Sequence, residues 1–159
     1  MELTALPLTA EAFAPFGEVL EAPANPGRLY FDDSLGNLRA SAHPSLSIVT
    51  RAPIEGLPLE VKVLERHEFS SQSFLPLEIG RWLIVAAPHA EEGKPDVKRA
   101  RAFLATAGQG ITLRPNTWHH ALTVLDKPAR VAVLMWCDGT RGDEEFVNVP
   151  AFLVREAKG

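Results

Sequence analysis

The chain has one cysteine, and that scarcity excludes more than the composition shows. With Cys137 alone, no internal disulfide can close and no four-cysteine zinc site can be built. The context Val133-Leu134-Met135-Trp136-Cys137 reads the thiol as a small buried hydrophobe rather than a nucleophile. No apolar run approaches the roughly twenty residues of a spanning helix, and no basic stretch followed by an apolar one opens the chain. A cytoplasmic location is the expectation. Positive charge is also in short supply: 16 Lys and Arg against 20 Asp and Glu leave a net charge of −4, which provides no basic stripe for a phosphate backbone. Nucleic acid and membrane are therefore not expected partners. A small anionic metabolite is still compatible, because a local arginine can hold it on an acidic protein. No internal repeat, low-complexity tract or composition shift divides the chain, so residues 1–159 read as a single domain with enough length for a proper core.

Helix-length periodic segments are missing as well. Proline and glycine recur at short intervals: Pro44, Pro53, Gly56, Pro58, Pro76, Gly80, Pro88, Gly93, Pro95, Gly108, Gly110, Pro115, Pro128, Gly139 and Gly142. Between them lie apolar or alternating runs at 46–50, 59–64, 73–77, 82–87, 102–106, 111–113, 121–125 and 131–136, with a further strand at 18–21. Short strands at this spacing predict an all-β sandwich or barrel rather than alternating β and α units. Helix is confined to a short opening one at 10–14, capped by Thr9 and ended by Pro15 and Gly17, and to a second in the last segment. Residues 91–96, Glu-Glu-Gly-Lys-Pro-Asp, form a solvated hairpin loop.

Polar residues able to do chemistry concentrate in two places. The first is Gln109 to His120, where a glycine, a Pro115-Asn116 turn and a paired histidine mark a strand–turn–strand corner. Neighbouring strand residues point to opposite faces, so only one of His119 and His120 faces inward. If the strand runs on through Leu122 and Val124 with those two facing the core, the inward one is His120. The second place is Glu65 to Leu77, where Glu65 and His67 share a face, as do Gln72 and Phe74 on the following strand. An exposed loop explains Glu68, Ser70 and Ser71, but not His67 and Gln72 beside Phe74. His43 and His89 adjoin prolines and read as surface residues.

These clusters resemble the two cupin motifs. Glu65 and His67 take the histidine-pair positions of the first, Gln72 its glutamate and Gly80 its glycine; Gly110, Pro115, Thr117 and His120 fall in register with the second. A closer likeness follows from Leu64-Glu65-Arg66-His67, then Gln72-Ser73-Phe74-Leu75-Pro76-Leu77, Arg101-Ala102-Phe103, Gln109-Gly110 and Trp118-His119-His120. With the opening at 6–17, this order resembles the ureidoglycolate lyase family over nearly the full length. The resemblance implies a cupin-like antiparallel β-barrel, or jelly roll, with a short N-terminal helix, assembled as a homodimer. It also implies an enzyme of purine (allantoin) catabolism that splits ureidoglycolate into glyoxylate and urea.

That chemistry needs a base at the carbinol hydroxyl, an acid or polarising donor at the departing urea nitrogen, and a cationic or amide nest for the carboxylate. The expected catalytic residues are His120, His67 and Gln72. The expected substrate contacts are Arg66 or Arg114 at the carboxylate, with Glu65, Phe74 and Trp118 beside them. No cofactor is demanded, although His67 and His120 with Gln72 or Glu65 would suit a single divalent transition metal. The chain departs from the family pattern at Leu113-Arg114, at Ala121, at Arg39-Ala40-Ser41-Ala42 and at Cys137-Asp138-Gly139. Two other readings remain open: a non-catalytic cupin that binds a small acid, and a cupin enzyme with a different small carboxylic acid as substrate.

Overall fold

The computed structural model describes residues 1–157. Strand dominates, in the order β1 (Glu2–Pro7), α1 (Ala10–Phe13), β2 (Gly17–Leu20), β3 (His43–Arg51), β4 (Leu59–His67), β5 (Gln72–Glu78) and β6 (Trp82–Ala87). A 3-10 turn at Val97–Arg99 precedes β7 (Arg101–Ala105), β8 (Gly110–Leu113), β9 (Trp118–His119), β10 (Thr123–Val124), β11 (Ala129–Cys137) and β12 (Glu144–Glu156). The all-β architecture with a short N-terminal helix is as expected. The helix starts where Thr9 accepts from the Ala12 amide at 3.2 Å, and it lasts four residues. Gly17 then brings β2 against β8 so closely that a Cβ there would sit 1.8 Å from the Thr112 carbonyl oxygen.

Two sheets result. The larger runs β10-β6-β7-β1-β12-β4-β9, and a further pairing of β9 with β6 closes six of its strands into a ring. The smaller runs β2-β8-β5-β11-β3. One apolar cluster, including Val61, Leu64, Leu83, Val85, Trp118, Phe152 and Val154, comes from the ring strands. The other joins both sheets: Trp82, Ile84, Ala86 and Phe103 pack with Phe74, Ile111, Leu113, Val131 and Val133. Alternation along β6 sends Trp82, Ile84 and Ala86 to one cluster and Leu83, Val85 and Ala87 to the other, so both faces of this strand are apolar and buried.

The structure differs from expectation in five places. β1 pairs in parallel with both β12 and β7, because a long chain excursion separates it from each partner. β12 is a strand where the last segment was expected to be helical. Its alternation is masked by exposed charged ends and by Pro150, which lacks a ladder N–H and falls at the register shift between Asn148 and Phe152. β1 itself, short and ended by Pro7, carried no signal. The expected strand at 121–125 shrinks to β10, separate from β9. Cys137 is exposed, since the apolar run of β11 outlasts the core and ends opposite His43 on the edge strand β3.

Candidate active site

Directly opposed residues in an antiparallel pair share a face. β9 is only two residues long, yet it is held on both sides: His119 lies opposite Glu65 of β4 and opposite Ala86 of β6. Ala86 belongs to the cluster between the sheets, so His119 points there too, and it is 2% exposed. Two residues from Glu65 on the same strand face, His67 completes the group. The ligating atoms of Glu65, His67 and His119 lie within 4.8 Å of one another. This corrects the expected facing, because His119 and not His120 enters. The chain breaks strand geometry between β9 and β10, so the parity of Leu122 and Val124 does not carry back to residue 120.

The proton positions follow from the partners. His119 Nδ1 donates to the Thr117 carbonyl oxygen at 2.9 Å, which leaves Nε2 as a lone pair in the neutral ring. That lone pair faces Glu65 Oε1 at 3.3 Å, and among the described residues Nε2 has no hydrogen-bond partner. Two acceptors turned toward each other in a buried place call for a cation between them, either a proton or a metal ion. His67 presents Nδ1 to Asp143 Oδ2 at 3.6 Å, and its ring centroid lies 5.9 Å from that of His119. Burial first, then the neighbouring His119, hold His67 below the usual histidine range, against the raising effect of Glu65 and Asp143. For Glu65, burial pushes up, but the hydrogen-bonding and charge effects of His119, His67 and His120 together outweigh it, and its carboxyl lies below the usual range. The lone pair on His67 and the charge on Glu65 are therefore both available near neutral pH.

Gln72, opposite Leu113 on β5, enters the same inter-sheet space from the smaller sheet, and Phe74 follows on the same face. The Gln72 amide nitrogen reaches only Met135 Sδ at 3.5 Å, and its Oε1 is buried without a partner among the described residues. His120 is half-buried beside the group, with Nδ1 3.2 Å from the Val63 carbonyl oxygen. Burial first places its pKa below the ordinary value, the Val63 bond and Glu65 acting the other way.

The arginines and Trp118 fall elsewhere. Arg66, one residue from Glu65, points to the opposite face of β4. There its Nε donates to Glu145 at 2.8 Å, its Nη1 to Asn116 at 2.6 Å, and its guanidinium carbon lies 4.7 Å from the centre of the Trp118 ring. Trp118 is fully buried and donates to the Gly93 carbonyl at 3.0 Å. Arg114 donates to the Ala14 carbonyl at 2.6 Å. Strand alternation that admits His119 and Glu65 necessarily excludes Trp118 and Arg66 from the same space. His43 is exposed as expected, whereas His89 is half-buried, its ring bridging the carbonyl oxygens of Gly93 and Asn116 at 3.0 and 2.6 Å.

Sequence reasoning missed two side chains that the fold brings to the group. Asp143 is buried, with Oδ1 accepting from the Phe69 and Ser70 amides at 2.7 and 3.2 Å. Arg39 lies on its far side, with Nη2 3.7 Å from Asp143 Oδ2, Nη1 2.9 Å from Asp138 and a buried Nε without a partner among the described residues. Both sit in irregular segments without periodicity, so only the tertiary contacts reveal them. Three surface clefts of about 460, 550 and 260 Å³ lie apart from the group, and none is lined by Glu65, His67 or His119. Its chemistry, rather than its volume, marks the site.

Among solved structures, a dTDP sugar isomerase from Desulfovibrio desulfuricans G20 superimposes with a TM-score of 0.48 at 20% identity, over 85% of this chain and 82% of that one. A relative from Agrobacterium fabrum (strain C58 / ATCC 33970) is 39% identical over 141 residues, which cover 89% of this chain and 86% of the relative. The ureidoglycolate lyase of Mesorhizobium japonicum (strain LMG 29417 / CECT 9101 / MAFF 303099) is 38% identical over 135 residues, covering 79% and 80%. The ureidoglycolate lyase family model matches residues 1–155, a span that holds the Glu65, His67 and His119 group between the sheets, and the chain belongs to that family.

Proposed function

We propose that this protein is a carbon–nitrogen lyase that splits ureidoglycolate into glyoxylate and urea, with its reacting groups at Glu65, His67 and His119. The observation that carries the reading is the convergence of three donor atoms, two imidazole nitrogens and a carboxylate oxygen, on half-buried Glu65 and His67 and buried His119, in a chain of this family. Ureidoglycolate carries a hydroxyl and a urea nitrogen on one carbon. When a base removes the hydroxyl proton, the oxygen's electron pair forms the carbonyl of glyoxylate, the carbon–nitrogen bond breaks, and the departing nitrogen takes a proton to become urea. His67, held neutral by burial, is the base in this reading. In the same reading, the proton held between His119 and Glu65 is the one the departing nitrogen takes. Gln72 Oε1, with no partner among the described residues, is free to accept from the substrate's hydroxyl or amide hydrogens.

The same donors suit one divalent transition metal, because a mixed nitrogen and oxygen set with an unsatisfied, buried His119 Nε2 is the chemistry such an ion takes. Glu65, His67 and His119 would hold it, with His119 in place of the expected His120 and with Glu65, rather than Gln72, as the oxygen ligand. Bound there, it would act as a Lewis acid on a substrate oxygen. The single domain over 1–159, the homodimer and the cytoplasmic location complete the proposal. Exposed Leu46 and Ile48 on the edge strand β3 support a partner surface, and no helix among the described residues is long and apolar enough to cross a membrane. The test is turnover of ureidoglycolate followed by glyoxylate and urea release, with and without chelator. Release that chelator abolishes and a divalent metal restores supports the metal-bound form, and release unaffected by chelator supports the proton form. No release under either condition sinks the lyase reading and puts the small-acid-binding alternative in front.

A further inference from the structure

We infer that Asp143 is a positioning residue that fixes the His67 ring with its proton on Nδ1, leaving Nε2 as a lone pair for the group, and that Arg39 holds this carboxylate in place. The inference rests on the proposed role of His67. Asp143 is 6% exposed, and its two oxygens have different surroundings. Oδ1 is saturated by the backbone amides of Phe69 and Ser70. Oδ2 is buried without a hydrogen-bond partner among the described residues, 3.6 Å from His67 Nδ1 and 3.7 Å from Arg39 Nη2. A buried carboxylate oxygen lacking a donor is costly. The ring N–H of His67 can satisfy it with a closure of a few tenths of an ångström. A donor at Nδ1 also completes a chain from a fixed cation to the reacting group: Arg39, Asp143, His67. Carboxylate–histidine pairs of this kind fix the tautomer and raise the basicity of the distal nitrogen, whether it serves as a base or as a metal ligand. Arg39 is itself anchored by Asp138 at 2.9 Å and by the Trp136 carbonyl of β11 at 3.2 Å.

The variant Asp143→Asn separates positioning from packing. Asparagine can keep an oxygen toward the Phe69 and Ser70 amides while turning its NH₂ toward His67, which then accepts at Nδ1 and carries its proton on Nε2. Imidazole ¹⁵N spectra of the purified protein, with the His67 signals assigned by His67→Gln among the five histidines, should show the proton on Nδ1 in the wild type and on Nε2 in Asp143→Asn. With the tautomer reversed, kcat should fall roughly 10²–10⁴-fold while KM stays within about threefold. A wild-type His67 protonated on Nε2 overturns the inference even if the variant fails to fold. So does a variant with the tautomer unchanged, whatever its activity. If the wild type does not turn over ureidoglycolate at all, the lyase reading fails separately, and the tautomer comparison still decides the role of Asp143.

Discussion

Replacing His119 with alanine should abolish activity, and replacing His120 should not. His119 is 2% exposed, bonded through Nδ1 to the Thr117 carbonyl and facing Glu65 through Nε2. Its removal takes away one of the three converging donors. A positioned acid or base is worth about 10²–10⁴-fold, or roughly 3–5 kcal/mol of barrier. The same change leaves the Thr117 carbonyl and the Glu65 carboxylate without their ring, and stability should fall by about 1–3 kcal/mol. His120→Ala loses one bond, to the Val63 carbonyl, from a half-buried ring that can be replaced by water. Its cost should be about 1 kcal/mol or less, with kcat within about tenfold of wild type. Glyoxylate release at saturating substrate, measured beside thermal melts of both variants, separates lost chemistry from lost folding. Equal loss from both variants, or a His119→Ala enzyme that turns over normally while folded, would refute the facing deduced from the pairing with Glu65 and Ala86.

Three further outcomes follow from the same geometry. Arg66→Ala removes two hydrogen-bonded partners and the contact with the Trp118 face, so it should destabilise the fold by about 1–3 kcal/mol in a urea melt yet leave kcat within a few-fold, in contrast to a substrate clamp. Burial holds His67 and His120 below the ordinary 6.5, so the unfolded chain binds more protons as pH drops. Stability they contribute is complete above about 6.5 and lost as pH falls toward their folded values; a His67→Gln, His120→Gln double variant that loses as much stability as wild type across that window would contradict the burial of these rings. Gly17→Ala should fail to fold or melt far below wild type, because its Cβ would meet backbone at 1.8 Å; a normal melt would show that β2 does not press on β8 as described.

How much of this was readable in advance depended on which physical rule governs each residue. Breaker spacing and alternation identify the strands around Trp82–Ala87 and Gly110–Leu113, where burial on both sides leaves little else for an apolar run to do. The pairing of Glu65 with His67 follows from the period of two alone, and it holds because β4 is regular there. His119 illustrates the limit. The rule that neighbours face opposite ways was right, but choosing between His119 and His120 required a reference on the same unbroken strand. Leu122 and Val124 do face the inter-sheet core, yet β9 ends at His119, and the three intervening residues do not keep strand parity. The usable reference lay across the ladder, in Glu65 and Ala86, and cross-strand register is a tertiary fact. Asp143 and Arg39 are a further step removed: each stands in an irregular segment, distant in sequence from His67, and nothing local marks either. A strand's own pattern can thus nominate the residues of such a site, while the register of its neighbours decides which of them meet. The same logic makes Glu65 the sharpest guide in this chain, since whatever faces it from the adjoining strand must face the reacting group.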